Sequence, residues 1–501
     1  MPKLAAIDVG SNAMRLVIAS VDDKGKLDLI DSAREPVRLG ADVFANREIS
    51  NQRLVETMDA FLRFRKLINA HKAKLVRAVG TSALREASNR DYFINQIAKA
   101  AEIVIDTISG DEEARLVHLA VASNVKMKHR VALLVDIGGG SVEISLANQR
   151  EIIATESFAT GTVRLLQMLE QKKHGDRVFR QLVHEYINVG DTRLKKELGK
   201  HKIGLCIATG GNVETLGDLR IQLCKGKSNT SITIDELDFI LKKLESRSYE
   251  DRIRKFKLRP DRADVIIPAA IALQNIASQA HVERILIPRV GVKDGLLIDM
   301  ASKLHRAEEP VYHTQAISSA KLLGRKFDYE VQHSMTVARF AVQLFDSTKK
   351  WHKLGGKERT LLEVAGLLHD IGYYLGMTDH HKHSYYLIKA SPIIGLDDSQ
   401  REIVATVARY HSRASPKPSH KEYEELPSSE QSVVTKLAPL LRLAEALDRE
   451  HANKVKRLRI AAGKKLTLRL RGRGDFLLER WALARNSELF ETVYQRKVVI
   501  A

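Results

Sequence analysis

The sequence predicts a mixed α/β protein of two similar lobes, followed by a histidine-rich helical region and a small α/β tail. Three observations lead there. A strand, a glycine turn and a second strand occur twice, with Asp8 and Asp136 at matching places 128 positions apart. The hydrophobic period changes to a helical one after about residue 306. The 501 residues also exceed the roughly 250–300 at which a single core stops growing.

The first copy of the repeat spans 3–21, turning at Gly10, Ser11 and Asn12. The second spans 131–147, turning at Gly138, Gly139, Gly140 and Ser141. In its return strand Val142, Ile144 and Leu146 alternate with Glu143 and Ser145, a period of two. A P-loop or Rossmann unit would place a helix after the turn. The repeat therefore predicts two alike lobes, 1–125 and 126–305, facing across a cleft. A third turn, Thr209-Gly210-Gly211-Asn212, follows the apolar run 203–207. Helical periodicity in 334–345 and 358–368 marks a domain over 306–460. Pro416, Pro418 and Pro427 mark 412–429 as an exposed loop. The strictly alternating stretch 465–471 opens a tail over 461–501.

Charge narrows the function classes. A net charge of +19 attracts polyanions. Nucleic acid, inorganic polyphosphate and phosphorylated nucleotides all qualify. Aromatics are only 5 %, and neither zinc-finger spacing nor an RNA-binding aromatic motif is present, so nucleic acid is not an obligatory partner. No apolar run reaches the ~18–20 residues of a membrane span. The start meets Asp8 and Gly10 too early for a signal peptide. Cys206 and Cys224 form no CxxC pair, and so few cysteines suit a reducing cytosol. A cytoplasmic location is expected.

Phosphoanhydride hydrolysis needs backbone amides around phosphate oxygens, carboxylates for a divalent metal, and a group that activates water. Gly138, Gly139 and Gly140 let consecutive amides converge on an anion, and Gly210 and Gly211 offer the same. Asp8, Asp136 and Glu143 are candidate Mg²⁺ ligands, directly or through water. Ser109 and Glu112 fit a capping box that places Glu113 in a first helical turn, as the candidate for water activation. An acid there is also ordinary helix-start chemistry. Arg15 and Arg85 are candidate phosphate clamps, and each reads equally well as a solvated surface arginine.

Together these stretches resemble the exopolyphosphatase / guanosine pentaphosphate phosphatase (Ppx/GppA) family. The resemblance is carried by IDVGSNAMRLVIA (7–19), GTSALREASN (80–89), ISGDEEARL (108–116), LLVDIGGGSVEIS (133–145), ATGGNVETLGDL (208–219), RADVIIPAAIAL (262–273) and VGVKDGLLIDM (290–300). It implies two lobes of the actin-like, sugar-kinase-like ATPase fold (ribonuclease H-like). It implies Glu113 as the catalytic carboxylate, Asp136 and Glu143 as metal and phosphate-site acids, and Arg85 as the phosphate-contacting arginine. The implied phosphate loops are 10–12, 138–141 and 210–212, which brings in Ser11, Asn12, Ser141 and Asn212. Three positions depart from the family pattern: Ala13 and Val142 stand where hydroxyl residues are usual, and Glu214 where a basic residue is often found.

The helical region has its own constellation. His369 and Asp370 stand side by side near the end of one helix, with His333 before them and Asp448 after. Imidazole and carboxylate suit Mn²⁺, Fe²⁺ or Zn²⁺. His383 and His411 are further donors, whereas His380 and His381 read as solvated neighbours. The His…His-Asp…Asp pattern resembles the HD phosphohydrolase superfamily, which implies an all-α HD-type domain and a second metal site.

The expected activity is hydrolysis of terminal phosphate from polyphosphate, with pppGpp 5′-phosphohydrolysis as the alternative or as a second activity. The family implies a homodimer. A sugar kinase or ATPase shares the fold. A basic nucleic-acid-binding or regulatory protein with inactive sites is the reading from another class.

Overall fold

The computed structural model describes residues 1–23, 25–128, 130–168, 181, 201–304, 308–412 and 414–501. It divides into two compact units, Met1–Ala307 and Glu308–Ala501. The expected lobe-to-helical boundary at 305/306 lies outside the described residues.

The first unit holds two sheets of the same plan. In the first, β1 (Lys3–Val9) pairs antiparallel with β2 (Met14–Val21), and β2 antiparallel with β3 (Leu27–Glu35). On its other side β1 runs parallel to β4 (Leu75–Gly80), and β4 parallel to β5 (Ile105–Thr107). The order is β3-β2-β1-β4-β5. The second sheet repeats it as β8-β7-β6-β9-β11 and adds β10 at the edge. Here β6 is Val131–Ile137, β7 Val142–Ala147, β8 Ile152–Phe158, β9 Ile203–Thr209, β10 Ser231–Thr233 and β11 Arg284–Leu286. Each sheet has its own apolar core.

All six residues of β7 are buried, although its sequence alternates. Both faces of this strand are covered, so its polar residues must find partners inside. Ser145 Oγ meets Thr155 Oγ1 at 2.7 Å, and Glu143 Oε1 accepts from Ser157 Oγ at 2.8 Å. Register then fixes the chemistry at the turns. Asp8 lies opposite Arg15, and Asp136 lies opposite Glu143. The same place in the repeat holds a cation in one sheet and a second acid in the other.

The helix Gly110–Asn124 is capped by Ser109, whose Oγ accepts from the Glu112 amide at 3.2 Å. The reciprocal half of the expected capping box does not form. Glu112 instead makes two 2.7 Å bonds to Arg115, a bidentate pair that competes for the same carboxylate. The helix Val292–Leu304 packs on this one at Gly295, where a Cβ would strike the Leu116 carbonyl.

The second unit is helical, with helices Val331–His352, Gly356–Leu368, His380–Ala390, Asp398–Arg409 and Ser428–Ala446. Strands β12 (Val455–Ala462), β13 (Leu466–Gly472) and β14 (Val498–Ile500) form a small sheet beside the helix Leu477–Tyr494. Leu466, Leu468 and Phe490 of this tail join the same core as Phe340, Leu368 and Leu441. The tail and the helices are thus one packed body.

Candidate active site

The turns after β1, β6 and β9 converge on one cavity of about 270 Å³ in the first unit. Asp8, Ser11, Asn12, Glu113, Asp136 and Gly210 all line it. That is at the small end for a ligand pocket.

The strand-to-strand turns behave differently from the third. Gly138 N–H donates to the Ser141 carbonyl at 3.0 Å, so it closes the turn and is spent. This corrects the expectation that Gly138 offers its amide to phosphate. Among the described residues, the Gly139 and Gly140 amides have no partner within the chain and remain for an anion. Arg164 fixes this loop: its Nε donates to the Gly140 carbonyl at 2.8 Å, while its guanidinium pairs with Glu86 and lies 4.0 Å from the Phe44 ring centre. The third turn leads from β9 into the helix Gly211–Cys224, not into a strand. Its first amides therefore point into the cavity with the positive end of the helix. Gly210 has φ 103° and ψ 149°, and a Cβ there would strike the Ile137 carbonyl. Gly210→Ala is expected to cost ~2–4 kcal/mol and to lower activity with it; thermal melting and phosphate release on the same sample check this.

Glu113, Asp136 and Glu143 each place one carboxylate oxygen within 4.8 Å of the others, and all are buried. Burial raises the Glu113 pKa well above its ordinary value, nearby Glu143 adds to this, and Arg85 opposes it. Arg85 Nη1 lies 2.9 Å from both Glu113 Oε2 and the Ile108 carbonyl. Burial pushes Asp136 to about 6 against a 2.7 Å bond from Thr209 Oγ1. Burial and Asp136 push Glu143 to about 7. Glu143 Oε2 is buried without a partner. Three crowded acids with an orphaned oxygen fit a divalent cation, which would supply the missing positive charge.

Asp8 stands apart from this cluster. Its Oδ2 lies 3.5 Å from Arg15 Nη1, its opposite number across the strands. It therefore ties down Arg15 rather than joining the three acids. Ser11 Oγ and Asn12 Oδ1 are buried without partners at the cavity wall, while Asn12 Nδ2 donates to the Asp261 carbonyl at 3.0 Å. Asn212 donates to Thr162 Oγ1 at 3.2 Å and accepts from Arg262 Nη1 at 2.9 Å.

Arg262 is a site residue that the sequence reading did not single out. It is 4 % exposed, lines the cavity, and its Nε makes no hydrogen bond. Burial, together with Arg15 and Arg34, lowers its pKa to about 9. The signal available was an arginine at the end of Pro260-Asp261-Arg262, ahead of an apolar run. Arg34 and Arg38 grip the flanking Asp261 and Asp264, the second at 2.7 Å. Arg289, Lys293 and Glu214 also line the wall.

In the second unit His333, His369 and Asp370 come together, but with Glu445 rather than Asp448. Asp448 Oδ2 sits 3.0 Å from His333 Nδ1, behind the ring, and also accepts from the Asn453 amide through Oδ1. His411 joins Asp370 on the other side, with His380 and not His383. His383 stands ~4.5 Å further along the same helix, and its buried Nδ1 has no partner. The expectation that His380 and His381 are solvated is corrected: both are half-buried. His380 Nε2 is 3.2 Å from His411 Nε2, and burial with Arg409 pushes His381 down to about 4.

Known proteins resemble this chain in family and fold. The Ppx/GppA phosphatase family matches residues 17–304, and Ppx/GppA phosphatase domain III matches residues 317–488. An exopolyphosphatase from Cytophaga hutchinsonii is 25 % identical, with a TM-score of 0.56 over 60 % of this chain and 98 % of that one. The Aquifex aeolicus member of the Ppx/GppA family shares the fold at 24 % identity, TM-score 0.52, over 61 % of this chain and 99 % of that one. An exopolyphosphatase-like protein matches at 24 %, TM-score 0.53, over 60 % and 98 %. With its repeated sheets, its glycine turns and its buried acids in one cavity, the chain belongs to the Ppx/GppA phosphatase family and is a phosphoanhydride hydrolase.

Proposed function

We propose that the chain is an exopolyphosphatase on two actin-like lobes, releasing terminal phosphate from inorganic polyphosphate. One observation carries the reading: free turn amides, Glu113 and Asp136 line the same small cavity, with Glu143 close to both acids and Arg85 bonded to Glu113. Glu113 takes the proton of a water whose oxygen bonds to the terminal phosphorus. The bridging P–O bond breaks, and the shortened chain leaves with the electron pair. Arg85, the amides of Gly139 and Gly140, and the start of the Gly211–Cys224 helix hold the phosphate oxygens. Asp136 and Glu143 would hold a divalent cation such as Mg²⁺, whose charge offsets that of the phosphates when bound. Arg15 and Arg262 receive the phosphates that follow.

Glu214 on the cavity wall favours a second reading, pppGpp as substrate. A carboxylate repels a further phosphate but accepts a hydroxyl or amine proton from a nucleoside. The reading also takes the protein as a homodimer, from the family resemblance, and as cytoplasmic, from its two unpaired cysteines. No described helix is long and apolar enough to cross a membrane.

The test is phosphate release with Mg²⁺ from long polyphosphate and from pppGpp. Wild type is compared with Glu113→Ala and with His369→Ala/Asp370→Ala. Loss in Glu113→Ala alone is expected for whichever substrate is used. Activity that survives there but dies in the double variant moves the enzyme to the second unit. No release at all, with salt-sensitive binding of nucleic acid, makes the protein a binding module.

A further inference from the structure

We infer that Arg164 and Glu86 form a positioning pair, which keeps the amides of the 138–141 loop aimed at the transferred phosphate and in step with Arg85. The inference deepens the proposed reaction and rests on it. Neither residue of the pair touches substrate; both act through the groups they hold.

The loop is oriented from behind. Three of its carbonyls turn to the segment 161–164. The Gly138 carbonyl accepts from the Thr162 amide at 3.1 Å. The Gly139 carbonyl accepts from the Val163 and Arg164 amides at 2.7 and 3.1 Å. The Gly140 carbonyl accepts from the Gly161 amide at 3.3 Å and from Arg164 Nε at 2.8 Å. In a trans peptide the C=O and the next N–H point opposite ways. The N–H groups of Gly139, Gly140 and Ser141 therefore face away from that segment, on the side of the cavity that the loop lines. Successive amides turned to one side make a nest for an anion.

The last of these peptides is the one that a side chain holds. Its backbone bond, from Gly161, is the longest of the set, and Arg164 supplies the shorter, charge-assisted one. Gly140 resists rotation little, so without Nε this plane is free to turn and withdraw the Ser141 amide. The guanidinium itself is locked. Arg164 is 8 % exposed. Its Nη1 donates to Glu86 Oε2 at 2.9 Å and its Nη2 to Ser82 Oγ at 3.2 Å, and Nη2 also reaches Glu86 Oε1. The Phe44 ring lies against its face.

These partners belong to the other sheet. Arg164 stands in the helix Thr162–Met168 after β8, whereas Ser82 and Glu86 begin and end the helix Ser82–Glu86 after β4. That short helix also carries Arg85, whose Nη1 reaches Glu113. One ion pair thus ties the amide loop of one sheet to the arginine beside the proposed base on the other. The fit is close: a Cβ on Gly140 would strike Ser82 Oγ and the Phe44 ring.

The test measures phosphate release from polyphosphate with Mg²⁺ by wild type, Arg164→Ala, Arg164→Lys, Glu86→Ala and the double variant Arg164→Ala/Glu86→Ala. Arg164→Ala should lower kcat ~10²-fold and change KM only a few-fold, as for an aimed donor put out of place. Millimolar guanidinium chloride should restore much of that rate, and sodium chloride at the same concentration should not. Guanidinium denatures proteins, so a variant that is merely misfolded gains nothing from it. Lysine pairs with Glu86 as a point charge but does not fork to the carbonyl, so Arg164→Lys should stay near Arg164→Ala. Glu86→Ala should lose less, and adding it to Arg164→Ala should cost little more. Thermal melts establish that each variant folds; if Arg164→Ala does not, the kcat losses of Arg164→Lys and Glu86→Ala decide. The inference is overturned by an unchanged kcat, by a loss confined to KM, by no rescue with guanidinium, or by losses that add in the double variant. A wild type that releases no phosphate overturns the proposed reaction instead, and the inference with it.

Discussion

Glu113→Gln should lower kcat by ~10³-fold or more, with KM changed only a few-fold. The side chain keeps its size, and glutamine still offers an oxygen to Arg85 Nη1, now 2.9 Å away. What disappears is the ability to take a proton, and a positioned base supplies roughly 10²–10⁴ of rate. Burial and Glu143 hold the Glu113 pKa well above its ordinary value. A base must be ionised, so the wild-type rate should climb as pH rises through that raised pKa and fall tenfold per unit below it. Steady-state kinetics across pH on both proteins check this. A Glu113→Gln enzyme within tenfold of wild type would place the base elsewhere.

The second large effect is on stability. Asp136 and Glu143 keep their protons to about 6 and about 7 in the folded state, against ordinary values of 3.8 and 4.5. Between those limits the folded protein binds more protons than the unfolded chain. Stability therefore falls as pH rises from about 4 to 7, and stays low above. A rise of ~2 units at Asp136 alone corresponds to on the order of 3 kcal/mol. Asp136→Asn removes that cost and still accepts the Thr209 bond. Without divalent cation at pH 8 it should melt ~5 °C higher than wild type; at pH 4 the two should coincide. Adding Mg²⁺ should raise wild type at pH 8 and leave the variant nearly unmoved. Melting curves over pH, with Mg²⁺ or with chelator, decide it. A wild-type curve that is flat from pH 4 to 8 would mean that these acids are not strained.

Much of this site is legible in the sequence because it is built from local grammar. A strand, a glycine turn and a strand set Asp136 and Glu143 within eight residues, and the Ser109 cap sets Glu113. What the sequence hides is register and packing. Asp8 and Asp136 look alike until the opposite residues, Arg15 and Glu143, are known. Arg262 became a cavity residue only through Asp261 and Asp264, which are gripped by arginines more than two hundred positions away. In the second unit two carboxylates stand a turn apart, and nothing local says that Glu445 faces the histidines while Asp448 stands behind one. His380 and His383 pose the same ambiguity on one helix. The tail was separable as a sequence pattern, but Tyr494 donates to the Lys436 carbonyl at 2.7 Å, so its core is shared.

The two alike sheets have one more consequence. Each contributes only part of the cavity wall, so separate copies would build it only by associating, and dilution would dissolve it. Joined in one chain, the halves meet at an effective concentration set by the linker and not by the number of molecules present. The cavity should therefore survive at any protein concentration at which the chain itself is folded.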